Sequence, residues 1–526
     1  MAALTAALVL VYGSFAALLV GRQAPHYEWL VGGLQLLLVP LWFAARRRAV
    51  PAPRVLWVVL GAFLGLSLAA SRSLSNGVVI PDESAYRFEA RLLATGRLKA
   101  TPPPGSLGES SEASEPVTFN HHVISEKGWY GKYPIGWPLL LALPERVGWG
   151  WVVTPALGCL LLGLIGAIAR EAFGEDAALP AVWMGALSPF FLANSVGFMS
   201  HAWAGLLIAG AFLLMLQGIR TKRLWRFAGM FGLLVLSFQV RPFSAFIASI
   251  SLGTATLICL RRDRKLLKWL AGMSAAAGVT AVVSTLAYYR AFTGDWLLSP
   301  YALARGLRVP VEMTASPAFI LESLASRWRF SVQSMWVLGF PLVFVLAGIG
   351  LYRQRHRGAA WILAALFGAT CLGYLVQPEG SGAVIGERYW FEAFFCILVL
   401  AAPVMAGLMS RTVVWALSAA QVLVLCGTIQ VLVRRAEPTS AMRSLAEQYR
   451  NCDCVVFMKE EEPHFAPQHL NINDPDWQRA RVFYLRDPGP AARSLWAARF
   501  GRTRWAVLEY DARLKRARLS SPESRL

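Results

Sequence analysis

The chain has 526 residues, of which 56% are hydrophobic and only 16% are charged, and its mean hydropathy is +0.47. This balance excludes an ordinary soluble globular protein. The net charge of +20 lies largely in short clusters between apolar runs, so it argues for membrane topology and against a nucleic-acid partner.

Apolar runs long enough to cross a hydrocarbon core of about 30 Å recur from residue 4 to residue 433. Because the bilayer core offers no water to backbone polar groups, these runs predict helices. The first run lacks a basic leader and a cleavage site, so it is interpreted as a retained helix. Hydropathy predicts about thirteen spans, at residues 4–20, 28–44, 55–71, 151–169, 178–194, 200–218, 227–240, 243–260, 270–288, 330–350, 359–375, 390–408 and 412–433. The predicted fold is an all-α polytopic membrane protein.

Short basic connections fix the orientation of these spans, because such loops stay on the cytoplasmic side. The clusters are Arg46 to Arg48, Arg220 to Arg226, Arg261 to Lys268 and Arg353 to Arg357. Thirteen spans then place the N-terminus in the cytoplasm. The loops at 72–150, 289–329 and 376–389 lie outside, as does the tail from 434. We expect a multi-pass protein of the bacterial inner (plasma) membrane.

The chain divides into two predicted domains. Residues 1–433 form the transmembrane domain, including the extracytoplasmic loop 72–150, and residues 434–526 form a small extracytoplasmic α/β domain. In the second domain, β-like runs alternate with helical segments near 440–450 and 490–499. The runs are Val455 to Met458, Val482 to Leu485 and Trp505 to Leu508. Cys452 and Cys454 there allow a disulfide or two free thiols.

Asp82 and Glu83 stand where an apolar span gives way to the first large loop. A carboxylate at a membrane edge is costly if it faces lipid, so it usually faces water or a cavity. Alternatively, both residues are solvated and cap an interfacial helix.

Further motifs follow this pair in a fixed order. They are Lys132-Tyr133-Pro134-Ile135-Gly136-Trp137-Pro138, Ser188-Pro189 with Met199-Ser200-His201, Arg241-Pro242, Thr293-Gly294-Asp295 before Pro300-Tyr301, and Glu387-Arg388-Tyr389. With Asp82-Glu83 and Tyr86, this order resembles the GT-C superfamily of glycosyltransferases, in particular its protein O-mannosyltransferase and aminoarabinose transferase (family 39-like) branch. The resemblance covers roughly residues 55–410. Ile135 departs from it, because the family has a second proline there.

The resemblance implies transfer of a sugar from a polyprenyl-phosphate donor to an envelope acceptor on the extracytoplasmic face, usually with inversion. Asp82 and Glu83 are the implied catalytic residues, with Asp82 as the base that deprotonates the acceptor hydroxyl. The developing phosphate charge requires fixed cations. The implied substrate-binding residues are Tyr86, Lys132, Tyr133, His201, Arg241, Tyr301, Glu387, Arg388 and Tyr389. The acceptor is an unidentified protein, lipid or glycan, and membrane lipids are the remaining partners.

Each cation has a structural alternative. Arg388 either snorkels to the interface or pairs with Glu392 one helical turn later. Lys132, among aromatic residues, anchors its loop among headgroups. The case for Arg241 is stronger, because a charge that interrupts an apolar run is costly without a polar partner.

No cofactor is assigned, and a divalent cation stays an open alternative. His121, His122 and His201 are metal-ligand types that Asp82 or Glu83 could complete, but their spacing defines no site. Asp474-Pro475-Asp476 has the Asp-x-Asp form of nucleotide-sugar enzymes, yet its central proline favours a turn.

Two other function classes compete with glycosyl transfer. A transporter or flippase of lipid-linked saccharides would require broken helices in corresponding halves of the chain, and the polar features gather instead at one face. A receptor or scaffold would act through residues 434–526. Neither a Walker loop nor a dinucleotide fingerprint occurs, which disfavours ATP-driven transport and nicotinamide chemistry.

Overall fold

A computed structural model describes residues 53–106, 116–117, 119–304, 343–375, 386–409, 411–459, 471–511 and 516–520. The predicted spans at 4–20 and 28–44 lie outside these residues, as does most of the span at 330–350. The helices of the described part are α1 (Pro53–Leu74), α2 (Pro81–Ala94), α3 (Gly136–Arg146), α4 (Gly150–Phe173), α5 (Ala178–Ala186), α6 (Pro189–Ala193), α7 (His201–Thr221), α8 (Leu224–Phe238), α9 (Pro242–Leu260), α10 (Arg264–Thr293), α11 (Pro300–Leu303), α12 (Val343–Arg353), α13 (Gly358–Leu375), α14 (Phe391–Leu408), α15 (Arg411–Gln448) and α16 (Arg493–Arg499).

Seven helices of the described part are long and apolar enough to cross a bilayer. They are α1, α4, α7, α9, α10, α13 and the segment Arg388–Leu408, which contains α14. The protein is therefore a multi-pass, mainly helical membrane protein, as the hydropathy predicted. The total of about thirteen spans stays a prediction.

The predicted span at 178–194 is wrong as a continuous helix. The chain breaks after α5, and Ser188 starts the short helix α6 by accepting a hydrogen bond from the amide of Phe191 at 3.1 Å. Pro189 follows at the first helical position, where its fixed φ suits a helix start. Average hydropathy cannot register this break, because every residue around it except Ser188 is apolar or small. The non-helical stretch that follows α6 runs to the start of α7 at His201.

Arg241 and Pro242 lie at the joint between α8 and α9. Two separate helices meet there, with Pro242 at the first position of α9. The backbone amide of Arg241 donates to the carbonyl of Ser237 at 2.8 Å, so the break leaves that donor satisfied. Arg241 is thereby held at a helix joint.

Helix α14 lies at the centre of the transmembrane core. Nearly all of its residues are buried, and it packs against α12, α13, α7 and α5. A helix that is apolar all round belongs in such a position. Its N-terminal end, preceded by the 3₁₀ turn Arg388–Trp390, is thus fixed deep in the protein.

The loop after α1 is largely ordered. It contains α2, the hairpin of β1 (His122–Ser125) and β2 (Gly128–Gly131), and α3. Helix α2 starts at Pro81, directly before Asp82. Residues 107–115 of this loop lie outside the described residues.

A four-stranded sheet follows the last long helix. It has the order β4 (Val482–Arg486), β3 (Cys454–Met458), β5 (Arg504–Asp511) and β6 (Arg516–Ser520). Strand β3 is parallel to β4 and β5, and β6 is antiparallel to β5. Three of these strands are the three predicted β-like runs. Cys452 and Cys454 form a disulfide at the start of β3.

The sheet is tied to the loop that follows α1. Phe88 and Leu92 of α2 and Trp129 of β2 share one buried cluster with residues of β3, β4 and β5. Helix α15 is continuous for 38 residues across position 433/434. The predicted domain boundary therefore falls inside a helix, and the division into domains stays a prediction.

Candidate active site

Asp82 and Glu83 occupy the first turn of α2, directly after Pro81. Pro81 presets a helical φ, and a helix N-terminus favours negative charge. Neither carboxylate is solvated, because Asp82 is 7% exposed and Glu83 is 3% exposed. The alternative of two solvated capping residues is therefore wrong.

Asp82 is surrounded by donors and cations. The hydroxyl of Tyr133 donates to its Oδ1 at 2.5 Å, and its Oδ2 lies 3.7 Å from Nη1 of Arg388 and 3.8 Å from Nε2 of His121. Burial by itself raises the pKa of Asp82, but Arg388, His121, the Tyr133 hydroxyl and Lys132 together outweigh it. The pKa of Asp82 is held well below its usual range, so the group is a carboxylate at neutral pH.

Glu83 has different surroundings. Its Oε1 accepts from the backbone amide of Phe198 at 3.0 Å, and its Oε2 accepts from the backbone amide of Val79 at 2.8 Å. Burial raises the pKa of Glu83, and these amide hydrogens oppose that rise only in part. Glu83 ties the start of α2 to the non-helical stretch between α6 and α7.

Arg388 brings a buried cation to Asp82. Its side chain is 14% exposed, and it lies over the ring of Tyr389 at 5.2 Å. Its Nε and Nη1 have no hydrogen-bond partner among the described residues. Buried N–H groups without acceptors are costly, so they mark a position where an anion would be stabilised.

Arg241 lies against a different carboxylate. Its Nε is 2.7 Å from Oε1 of Glu392, and the same oxygen lies 2.8 Å from Nδ1 of His201. Glu392 and His201 are each 1% exposed. The alternative in which Arg388 pairs with Glu392 does not describe the observed contacts, since Glu392 is engaged by Arg241 and His201. A buried ion pair of this kind stabilises the joint between α8 and α9 only while both partners are present.

Aromatic side chains line the space around Asp82. The rings of Tyr86 and Tyr133 lie 4.6 Å apart, and Tyr133 lies 6.4 Å from Tyr301. The ammonium group of Lys132 lies over the rings of Tyr301 and Tyr133, at 4.4 and 5.3 Å. The interpretation of Lys132 as a headgroup anchor is therefore not supported, because the residue is 7% exposed and faces this wall.

Tyr389 forms the other side of the site. It stacks on Tyr374 with ring centroids 4.8 Å apart, and the Tyr374 hydroxyl is 2.6 Å from that of Ser244. Both arginines, Arg241 and Arg388, lie over the Tyr389 ring. Glu387, which is 1% exposed, starts the 3₁₀ turn that carries Arg388. The structure thus gathers the sequence-predicted residues around one buried region.

No protein-family model and no curated protein sequence matches the chain. Among solved structures, ArnT from Cupriavidus metallidurans bound to undecaprenyl phosphate is 12% identical, with 89% of this chain and 98% of that chain covered and a TM-score of 0.52. The apo state of the same protein gives the same identity and coverage and a TM-score of 0.51.

The chain shares its fold with ArnT, so the GT-C-like fold that the ordered motifs predicted is confirmed. The oligosaccharyltransferase of Archaeoglobus fulgidus, in a complex with Zn and sulfate, is 13% identical, with 85% of this chain and 68% of that chain covered and a TM-score of 0.49.

The three histidines considered as metal ligands are not brought together in this GT-C fold. His122 uses both ring nitrogens on Asn120 and Asn471, His201 binds Glu392, and His121 lies beside Asp82. Within the residues that the structure describes, no group of three or more His, Cys, Asp or Glu side chains could hold a metal ion. Asp474 accepts a hydrogen bond from the amide of Asp476 at 2.8 Å, so the predicted turn is confirmed.

Two residues near the site escaped the sequence reasoning. Glu392 was considered only for Arg388, although an acid in the first turn of an apolar span required a cation from another helix. Asn471 bonds through its amide nitrogen to the Ser84 hydroxyl at 2.7 Å and through its side chain to His122 at 3.0 Å, and its carbonyl accepts from Arg91. No sequence signal distinguishes Asn471 from an ordinary loop asparagine.

Proposed function

We propose that the chain is an integral-membrane glycosyltransferase that moves a sugar from a polyprenyl-phosphate donor to an envelope acceptor on the extracytoplasmic face. The observation that carries this proposal is a buried carboxylate, Asp82, next to a buried guanidinium, Arg388, that has unpartnered N–H groups. One group suits an incoming hydroxyl and the other suits a leaving phosphate.

The donor phosphate binds at Arg388. The phosphate oxygens then accept from N–H groups of the guanidinium, whose Nε and Nη1 are buried and lack partners in the described part. Lys132 adds a second cation near Tyr133 and Tyr301. ArnT, whose fold this chain shares, has been solved with undecaprenyl phosphate bound, which supports a donor of the same class.

Asp82 acts as the base. The acceptor oxygen attacks the anomeric carbon, its proton passes to Asp82, and the bond from that carbon to the phosphate oxygen breaks. The electron pair leaves with the polyprenyl phosphate, which Arg388 stabilises. Because this is a single displacement, the anomeric configuration inverts.

Donor binding also prepares the base. In the ligand-free site, Arg388 is among the groups that hold the pKa of Asp82 low, and a weakly basic carboxylate is a poor proton acceptor. An anionic donor offsets the charge of Arg388, so the pKa of Asp82 rises when the donor is in place. The base therefore becomes effective only in the complex that reacts.

The other predicted site residues take supporting roles in this proposal. Glu83 holds the non-helical stretch through Phe198 and is a positioning residue, as are Arg241 and His201 through Glu392. Tyr86, Tyr133, Tyr301 and Tyr389 present ring faces on which a sugar stacks. Glu387 fixes the turn of Arg388.

The helix ends support the extracytoplasmic location. Helix α7 runs from His201 in the site to the basic cluster that begins at Arg220, and α9 runs from Pro242, next to Arg241, to the cluster that begins at Arg261. The site and the basic turns thus lie at opposite ends of the same helices. Basic turns favour the cytoplasmic side, which supports an extracytoplasmic position for Asp82.

The deciding experiment is Asp82→Asn in purified full-length protein in lipid nanodiscs. Sugar transfer from a polyprenyl-phosphate donor should fall by about 10²- to 10⁴-fold, because the amide cannot accept the proton. Asp176→Asn, at an exposed position outside the site, is the matched control and should keep full activity. Transfer close to that of the unmodified protein in Asp82→Asn would refute the role of Asp82 as the base and shift that role to Glu83, whereas no transfer by the unmodified protein would favour a transporter of lipid-linked saccharides.

A further inference from the structure

A small cavity lies between the start of α2, the stretch after α6 and the turn that carries Arg388. Its volume is about 40 Å³, which is enough for one water molecule and too small for a sugar or a phosphate ester. Four of its lining residues are polar: Glu83, Asn194, His201 and Arg388.

Several polar atoms of these lining residues lack partners among the described residues. They are Nε2 of His201 and Nε and Nη1 of Arg388. His201 is 1% exposed, so its ring nitrogen has no access to bulk solvent. A buried polar atom without a hydrogen bond costs about 1–3 kcal/mol, and three around one small cavity call for a common partner.

The donor and acceptor roles of His201 and Arg388 determine what that partner is. Glu392 is a carboxylate beside Arg241 and accepts only, so Nδ1 of His201 carries the proton that it donates to Glu392. In the neutral imidazole, Nε2 is therefore an acceptor. Arg388 has only donors. The partner must accept from Arg388 and donate to His201, which a water molecule does.

We propose that this cavity holds a bound water molecule that joins Arg388 to His201 and Glu83 and so positions Arg388 for the donor phosphate. The water accepts one N–H of Arg388, so the other N–H groups of the guanidinium remain available to the donor phosphate. It donates one O–H to Nε2 of His201 and the other to the Glu83 carboxylate, giving three hydrogen bonds, typical of buried waters. The part of this inference that concerns the donor rests on the proposed function.

The water completes a continuous polar chain. Arg241 holds Glu392, Glu392 holds His201, and the water connects His201 to Arg388. The water thus provides a hydrogen-bond donor for Nε2 of His201, an acceptor nitrogen that is otherwise buried without a partner in the described part. His201 and Glu83 then act through Arg388, without touching the donor.

The water itself is tested by a cryo-electron microscopy structure of the full chain in nanodiscs, at a resolution that shows ordered waters. Density within hydrogen-bond distance of His201 Nε2 and Arg388 is the expected result. A dry cavity in the ligand-free protein would overturn the proposal. This measurement does not depend on the reaction, so it holds even if the unmodified protein shows no transfer.

Its role is tested by the KM for the donor and by kcat, measured separately. His201→Leu should raise the KM roughly ten-fold with a smaller change in kcat, because Arg388 loses its anchor. His201→Gln should restore most of the affinity, since its amide donates to Glu392 and its oxygen accepts from the water. Met199→Leu, an apolar substitution in the same cavity wall, should leave the KM within about two-fold.

Two results would contradict the positioning role. One is a KM for the donor in His201→Leu close to that of the unmodified protein. The other is an equal loss in His201→Leu and His201→Gln, which would indicate that the imidazole only fills space. If the unmodified protein showed neither transfer nor binding of polyprenyl phosphate, the proposed function would fail. The density map would still test whether the cavity holds a water molecule.

Discussion

Arg388 and Arg241 lie over the same tyrosine ring, yet their charges are balanced differently. In the described part of the chain, Arg241 has a carboxylate oxygen of Glu392 at 2.7 Å, whereas Arg388 has one of Asp82 at 3.7 Å and donates to the Tyr389 hydroxyl at 3.4 Å. Both arginines precede an apolar helix, and the sequence motifs gave them the same predicted role. The structure thus separates a closely paired cation from one whose nearest carboxylate in the described part lies beyond hydrogen-bond distance.

The difference shows that charge balance decides which of two neighbouring cations is available to a ligand. A paired guanidinium would have to give up Glu392 before it could bind a phosphate, and that would leave a buried carboxylate unpaired. Arg388 has no such cost. The phosphate is therefore assigned to Arg388, and Arg241 is assigned to the scaffold.

Removal of Arg241 should produce the largest effect on stability. Arg241→Gln leaves Glu392 buried without its cation, which costs about 3–5 kcal/mol of unfolding free energy. Arg241→Gln combined with Glu392→Gln should recover most of that loss, because neither partner then carries a buried charge. Thermal unfolding in nanodiscs measures both.

The exposed pair of Arg220 and Glu171 serves as the control for this prediction. Arg220 is 64% exposed, so Arg220→Gln should cost less than about 1 kcal/mol. If the double variant were as unstable as Arg241→Gln alone, the pairing of Arg241 with Glu392 would not be the source of the effect.

Removal of Arg388 should affect the donor and spare the fold. Arg388→Gln should raise the KM for the polyprenyl-phosphate donor by about 10- to 100-fold, the range expected for charge-assisted hydrogen bonds. Arg388→Lys should fall between, since an ammonium keeps the charge and loses the planar arrangement of donors. Steady-state kinetics at varied donor concentration provides the measurement. A larger rise in the donor KM for Arg241→Gln than for Arg388→Gln would reverse the assignment of the two arginines.

Glu89 is another buried side chain whose polar atoms lack partners in the described part. It differs from Arg388 because burial keeps it uncharged. Its two carboxyl oxygens lack hydrogen bonds in the described part, it is fully buried, and burial raises its pKa well above 4.5. Glu89 is thus neutral when folded and ionised when unfolded at neutral pH. The unfolded state binds fewer protons, so stability falls as pH rises above the unfolded pKa.

Glu89→Gln removes this linkage while keeping the shape. Its gain in thermal unfolding temperature over the unmodified protein should be near zero below about pH 5 and should grow towards pH 8. Unfolding curves at several pH values test this. A gain independent of pH would show that Glu89 is already paired or ionised in the folded protein.

Local signals in the sequence were sufficient for much of the architecture and for part of the site. Of the thirteen spans that apolar length predicted, seven are helices of the described part long enough to cross a bilayer, and the strand-like runs after 454 predicted three strands. The Arg241-Pro242 interruption correctly indicated a cation that needs a partner. That partner, Glu392, belongs to another helix, and only tertiary packing brings the two together.

Hydropathy also missed a helix break, and the reason is physical. The break at Ser188-Pro189 is a standard helix start, with a capping hydroxyl followed by proline, yet it lies within apolar residues and hydropathy averages over it. Because the break was missed, the amide of Phe198 could not be foreseen as a donor to Glu83. We therefore propose a positioning role for Glu83, where the resemblance implied a catalytic one.

The hydrogen bond between Asn471 and Ser84 joins residues that are 387 positions apart in the chain. At a synthesis rate of about 5–20 residues per second, the helix that carries Asp82 emerges from the ribosome roughly 20 to 80 s before the residue that braces it. The delay between synthesis of His122 and of its partner Asn471 is nearly as long, because they are 349 positions apart. A nascent chain therefore braces the Asp82 helix only after residue 471 has been made, and truncated products that stop before it and insert in the membrane carry this helix without the brace.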